Sequence, residues 1–368
     1  MPNGCRYLSP LGHDRHEWVA AMALALFATM SLAVGCATGG SRGAPAVDRL
    51  MHRYVGSGPG ASVLVLRNGL PAVRRSYGYA DIEQVDPTTP STNYRLASVT
   101  KQFTAAAILL LVQDGRVNLE DPVRQWLPSL PAATGSVTIR HLLTHSSGLI
   151  DYEEVMQRDT EAQLRDADVL ALLETQDRTY FAPGSDYRYS NSGYALLALI
   201  VERASRHSFQ SFLRERIFQP LGMDGTLAYV SDGAAVANRA YGYSEIAGRW
   251  QRTDQSPTSA VLGDGGIYSS IDDLARWAAA LDRDRLLTEA SRRLAFAAHV
   301  ATDDPCVAYG FGWRVSGDNL WHSGESIGFR NVLVRYPKQR LTVIILSNRD
   351  DPEPRDTATA IARLFLDR

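Results

Sequence analysis

Two kinds of apolar pattern divide this chain, and their order leaves few folds open to it. Strand-type runs stand at both ends and helix-type periodicity fills the middle. Near the start, Ser62-Val63-Leu64-Val65-Leu66 leads into Asn68-Gly69, a pair that closes hairpins, and then into a β-leaning run from Val73 to Tyr79. Toward the end come Phe311 to Val315, Leu320 to His322, Asn331 to Tyr336 and Leu341 to Ser347. Short turns at Gly317-Asp318-Asn319 and Pro337-Lys338-Gln339-Arg340 join them, and Arg355 to Leu366 reads as a closing helix. From about Ser98 to Leu294 the spacing is mostly helical, as in Tyr194 to Glu202 and Leu274 to Leu281. Strands joined by short turns pair antiparallel. The expectation is therefore an α+β fold: one antiparallel sheet formed by N- and C-terminal strands, flanked by helices, with a mainly helical inserted region and a cleft between them.

Ahead of the first strand, Arg6 and Arg15 precede an uncharged stretch from Trp18 to Gly35, the pattern of a secretory signal. It ends in Leu32-Ala33-Val34-Gly35-Cys36, which resembles the lipobox of bacterial lipoproteins and implies a lipid on Cys36 as the mature N-terminus. The stretch is also long enough to span a bilayer, so an uncleaved anchor is the other reading, and both export the rest of the chain. The expected boundaries are a signal over 1–35, a Gly-rich tether over 36–45 and one domain over 46–368. The three cysteines are Cys5, Cys36 and Cys306, of which the last is expected to be chemically passive. Charge excludes one class of partner: 38 Lys and Arg against 40 Asp and Glu leave a net −2, with no footprint for a nucleic-acid backbone.

Only Lys101 and Lys338 are lysines; every other basic residue is arginine. A guanidinium cannot lose its proton near neutral pH, so each lysine is a place to ask whether arginine would have failed. Lys101 stands three residues after Ser98, at the start of a helical pattern that Asp114-Gly115 ends. A cation in a first helical turn opposes the helix dipole, and capping alone would favour glutamate there. Proton transfer explains the choice better: a desolvated amine can accept the proton of the serine hydroxyl. Two further sets are Tyr189-Ser190-Asn191, after a Pro/Gly-rich loop, and Trp321-His322-Ser323-Gly324-Glu325 on a C-terminal strand. Taken singly, each admits a structural role: Ser98 or Asn191 as a helix cap, His322 as a strand histidine satisfied by a neighbour. In the functional reading the Tyr189 phenol carries a proton, Asn191 orients a substrate amide, and the strand offers backbone N–H groups.

Together the three sets resemble the penicillin-recognising serine hydrolases, in particular the class C β-lactamase-like family with its D-alanyl-D-alanine carboxypeptidases, D-aminopeptidases and esterases. The resemblance runs from about residue 46 to the end and includes Ile139 to Leu149, Pro220-Leu221-Gly222-Met223 and Gly265 to Leu274. It implies the β-lactamase/transpeptidase-like fold, with Ser98 as nucleophile, Lys101 as general base and Tyr189 as proton relay. It implies Asn191, Ser323, Gly324 and Glu325 as substrate-binding residues, and the N–H groups of Ser98 and Glu325 as an oxyanion hole worth roughly 3 kcal/mol per donor. His141 and His145 belong to the resemblance as structural residues. No metal or other cofactor enters the scheme.

His322 stands where many class C β-lactamases have lysine, and in this respect the chain is more similar to the family's peptidases and esterases. A neutral histidine holds a substrate carboxylate less firmly but can donate or relay a proton. The reading is an exported serine hydrolase for small amides, D-residue peptides or esters. β-Lactam hydrolysis and a non-hydrolytic, once-acylated cell-wall or penicillin sensor are the alternatives. Acyl-group choice is expected in loops around Tyr152, Tyr241 to Glu245 and Gly263 to Tyr268.

Overall fold

The computed structural model describes residues 43–157, 161–231 and 233–366. The signal and Cys36 lie outside the described residues, and helix α1 (Ala44–Leu50) takes up the last two residues of the expected tether. The main sheet has eight strands, all paired antiparallel. Its centre is β1 (Ala61–Arg67) and β2 (Leu70–Tyr77) from one end of the chain, and β3 (Asn319–Ser326), β4 (Phe329–Tyr336) and β5 (Leu341–Ser347) from the other. The order is β3-β4-β5-β1-β2, with the short strands Arg314–Ser316, Ala308–Tyr309 and Val300–Ala301 continuing beyond β3. The first and last parts of the described chain thus meet along β1 and β5, from Ala61↔Ser347 to Arg67↔Leu341.

Asn68 and Gly69 make the β1–β2 turn with φ of +56° and +78°, the left-handed pair that matches strand twist and that Asn and Gly accept most readily. Side chains alternate across the sheet, and both faces are buried. Val63 and Val65 of β1 with Val343 and Ile345 of β5 pack under α1 and the final helix, Arg355–Leu366. Leu64 with Ile344 and Leu346 face the larger core that holds α2 (Lys101–Gln113). Burial on both sides explains why these strands read as continuous apolar runs. Each fully buried Leu or Ile contributes roughly 1.5–3 kcal/mol to the fold.

The middle of the chain is less purely helical than expected. Alongside α3 (Asn191–Ser205) and α4 (Ile271–Ala280) it holds a three-stranded sheet, Tyr94–Arg95, Ile267–Ser269 and Leu227–Ala228, and a hairpin, Tyr243–Ile246 with Arg249–Arg252. Strands of two or three residues are too short to show an alternating pattern. Among the described residues no helix is long and apolar enough to cross a membrane.

Candidate active site

Ser98 does not cap a helix. It sits inside a one-turn 3-10 segment, Ala97–Thr100, which runs straight into α2 at Lys101. In this tighter helix residues three apart eclipse one another, so Ser98 and Lys101 share one face. Ala97 enters the turn at φ +49°, a left-handed conformation that costs an L-residue energy and recurs where chains present functional groups. Ser98 is partly exposed while Ala97 and Val99 are buried, and Ser98 and Ala97, but not Val99, border the cavity.

Lys101 is fully buried. Its Nζ donates to Ser98 Oγ at 3.0 Å, to Asn191 Oδ1 at 2.8 Å and to the carbonyl oxygen of Asp264 at 3.0 Å. Gly263 makes the third bond possible: a Cβ there would lie 2.2 Å from the Tyr194 carbonyl, so only glycine lets this segment pass close against α3. Thr104 Oγ1 ties the same segment to α2 by donating to the Gly263 carbonyl at 2.7 Å. Asn191 opens α3 and is oriented from both ends. Its backbone N–H donates to Asp151 Oδ2 at 2.7 Å and its side-chain amide to Glu153 Oε1 at 2.9 Å, which leaves Oδ1 for the lysine. Its side chain is thus committed to Lys101 and Glu153, and the resemblance supplied only its substrate contact.

Tyr189 is half-buried, with its ring centroid 4.9 Å from Lys101 Nζ. Among the described residues its hydroxyl takes part in no hydrogen bond, so it is available to a ligand. His322 stands apart from this group. It is 2% exposed, its Nε2 pairs with the Tyr309 hydroxyl at 2.9 Å and its Nδ1 with the Ser323 carbonyl at 2.6 Å. The short Nδ1 contact to a carbonyl places the proton on Nδ1, so Tyr309 donates to Nε2. Burial, with Arg314 and Lys101 adding to it, holds the pKa of His322 well below the usual histidine value. Both ring nitrogens are thus engaged, with Tyr309 and with the Ser323 carbonyl, and the direct role expected of His322 would require one of them to be released.

The strand that carries His322 still matters. A Cβ on Gly324 would lie 2.1 Å from the Leu96 carbonyl and 3.2 Å from the Val99 nitrogen, so β3 presses its bare backbone against the serine turn. The β3–β4 hairpin closes at Ser326↔Phe329, and hydrogen-bonded pairs alternate from there, so the N–H of Glu325 points away from β4. It faces the same open edge as the serine turn. The N–H of Ser98 has no carbonyl partner among the described residues. Ser98, Asn191 and Glu325 border one small cavity with Tyr152, Glu153 and Gly265.

Acidic groups behind Lys101 carried no sequence signal. Asp264 is buried, accepts from the Tyr152 hydroxyl at 3.0 Å, and is pushed up to about 8 by burial, against the pull of Lys101. Asp166, buried beside it, accepts the N–H groups of Leu262 and Gly263 at 3.0 Å and is pushed up to about 7 by burial. Glu153 is likewise raised by burial and by Asp151. Nothing in the spacing of these acids relates them to Ser98; only folding brings them together. Of the loops expected to choose the acyl group, Tyr152, Asp264 and Gly265 adjoin the cavity, whereas Tyr243 is buried elsewhere, bonded to Glu83. Cys306, expected to be chemically passive, is not among the residues that border the cavity. Among the described residues no group of three His, Cys, Asp or Glu is placed to hold a metal ion.

A family model described as Beta-lactamase matches residues 47–367. A penicillin-binding protein of Bacillus subtilis (strain 168) is 34% identical over 319 residues, covering 82% of this chain and 69% of that one. A D-aminopeptidase of Gluconobacter oxydans is 29% identical over 312 residues, covering 82% and 58%. The chain thus spans between 58% and 69% of the length of these two curated relatives. Among solved structures, an octameric penicillin-binding protein homologue from Pyrococcus abyssi superposes with a TM-score of 0.79 at 26% identity, covering 88% of this chain and 76% of that one. The D-amino acid amidase of Ochrobactrum anthropi SV3 gives 0.75 at 26% identity, covering 87% and 98%. The match extends over nearly all of the described fold, including the serine turn, the lysine and the strand beside them: this chain belongs to the Beta-lactamase family.

Proposed function

We propose that this chain is an exported serine hydrolase that forms an acyl-enzyme at Ser98 and releases the acyl group to water, acting on small amides, D-residue peptides or esters. The observation that carries the reading is the bonding of Lys101. Asn191 Oδ1 and the Asp264 carbonyl can only accept hydrogen bonds. In the neutral amine they claim both N–H groups, and the lone pair is left facing Ser98 Oγ at 3.0 Å.

Ser98 Oγ then attacks the substrate carbonyl carbon as its proton passes to Lys101 Nζ. The developing oxyanion lies between the N–H groups of Ser98 and Glu325. The leaving amine or alcohol takes a proton through the Tyr189 phenol, which Lys101 restores, and the acyl group stays on Ser98. Water then attacks the acyl carbon, giving its proton to the Tyr189–Lys101 pair, which passes it to Ser98 Oγ as the ester bond breaks and the acid leaves.

Relatives named as a D-aminopeptidase and a D-amino acid amidase favour an amide substrate with a D residue. The uncharged, enclosed His322 favours substrates that need no cation at that place. Export and a lipid at Cys36 belong to the same proposal; mass analysis of the mature N-terminus tests them. A fluorophosphonate probe should label the purified domain and fail to label Ser98→Ala, and equal labelling removes Ser98 from its role. Across nitrocefin, p-nitrophenyl esters and D-amino-acid amides, turnover should favour the last two. Preference for nitrocefin would make the chain a β-lactamase, and one stoichiometric burst without turnover a sensor.

A further inference from the structure

The segment Ile139 to Leu149 has so far no part in the chemistry, yet it builds the support for the tyrosine. His141 caps its own helix, Ile139–Leu143, by accepting the Thr138 N–H at Nδ1. His145 turns the chain at φ +58° and is buried. Its carbonyl accepts the Arg188 N–H at 3.0 Å, and its Nδ1 accepts the Ser190 N–H at 3.1 Å. One residue therefore holds both chain neighbours of Tyr189. Its ring also lies against the Tyr189 ring, centroids 4.3 Å apart at 36°. The next residues continue the seam: the carbonyls of Ser146 and Gly148 accept the N–H groups of Gly184 at 2.8 Å and Tyr180 at 2.7 Å.

Because Nδ1 accepts, the proton of the neutral ring is on Nε2, which is buried and has no hydrogen-bond partner. The ring of Tyr309 stands 4.4 Å away at 66°, an edge-on arrangement that lets an N–H meet an aromatic face. Burial first, and the neighbouring basic groups Lys101 and Arg314 after it, hold the pKa of the imidazole well below the usual histidine value. Protonation would also place a second N–H at Nδ1 against the Ser190 amide.

We propose that His145 is a positioning residue for Tyr189: a neutral imidazole that fixes the phenol beside Lys101 by holding Arg188 and Ser190 and packing on the ring, without carrying a proton itself. The proposal rests on the reading of Tyr189 as proton carrier.

Hydrolysis of p-nitrophenyl butyrate by the whole protein tests it. His145→Phe keeps a flat ring and removes the acceptor; His145→Asn keeps an acceptor and tolerates the left-handed backbone. The phenylalanine variant should lose about tenfold or more in kcat with KM within about twofold, and asparagine should recover most of that loss. In a Tyr189→Phe background His145→Phe should cost nothing further, because no hydroxyl remains to be placed. The proposal is overturned if His145→Phe lowers kcat by the same factor in both backgrounds, or if it raises KM alone. Should that variant not fold, the cycle is run with His145→Ala, which also removes the acceptor: a drop that vanishes with Tyr189→Phe supports the proposal and one that persists overturns it. Wild-type kcat in Tyr189→Phe itself would sink the proton-carrier reading together with this one. An impaired Tyr189→Phe with an additive cycle would sink this one alone.

Discussion

Lys101 Nζ lies 2.8 Å from Asn191 Oδ1, closer than its 3.0 Å approach to Ser98 Oγ. The amide on α3 therefore sets where the amine on α2 points. Asn191→Ala should lower kcat by roughly ten- to a hundredfold, since the amine loses one of its two fixed acceptors. Asn191→Asp should be worse, because a carboxylate there pairs with the ammonium and keeps the proton on it. Steady-state rates on one ester measure both, and activity of the aspartate variant at or above that of alanine would contradict this placement.

Lys101→Arg separates proton acceptance from charge. A guanidinium stays protonated and is bulkier than the fully buried ammonium it would replace. The arginine variant should be nearly as inactive as Lys101→Ala in both labelling and turnover. Substantial activity in the arginine variant would mean that the site needs a positive charge and not a base.

Gly324→Ala tests the contact between β3 and the serine turn. The added methyl would meet the Leu96 carbonyl at 2.1 Å, backbone against backbone with no flexible side chain to yield. Overpacking of this kind costs about 1–3 kcal/mol and should also separate the two oxyanion donors. A lower denaturation midpoint together with a kcat loss larger than the KM change is expected. Wild-type values in both would show that the strand does not press on the turn.

The buried acids behind Lys101 set a pH dependence of stability. Asp264 and Asp166 are raised to about 8 and about 7 in the fold, from an ordinary value of 3.8. Between those limits the folded protein binds more protons than the unfolded chain, so their contribution to stability is lost as pH rises from about 4 through about 8. Burial drives both shifts; on Asp264, Lys101 and the Tyr152 hydroxyl oppose it while Asp166 and Glu153 reinforce it. Asp264→Asn keeps the shape and cannot ionise, so its urea midpoints should fall less steeply over that window. An unchanged slope would place the titrating group elsewhere.

How far the chain could be read in advance differs from element to element. The hairpin at Asn68-Gly69 was legible because both residues are chosen for left-handed φ, and the helix after Ser98 because its apolar run is long. The hairpin at Tyr243–Ile246 was not, since Ala247, at φ +52°, takes a conformation that an alanine does not advertise. Lys101 stood out by rarity in an arginine-rich chain, whereas Asp264, Asp166 and Glu153 look like any other surface acids until folding buries them. His145 was visible as part of a motif, but its grip on Tyr189 links residues more than 40 positions apart.

Local order along the polymer therefore decided which segments became strands and helices, and chemical type decided that Ser98 and Lys101, three residues apart on one turn, could exchange a proton. Everything that depends on distance between remote segments was decided by packing. Whether His322 faced the cavity or the core, which acceptors took the two N–H groups of Lys101, and where Glu325 aimed its amide follow from how the sheet edge meets α2 and α3. Hydrogen-bond direction and desolvation are properties of that meeting, and neither is carried by a residue alone.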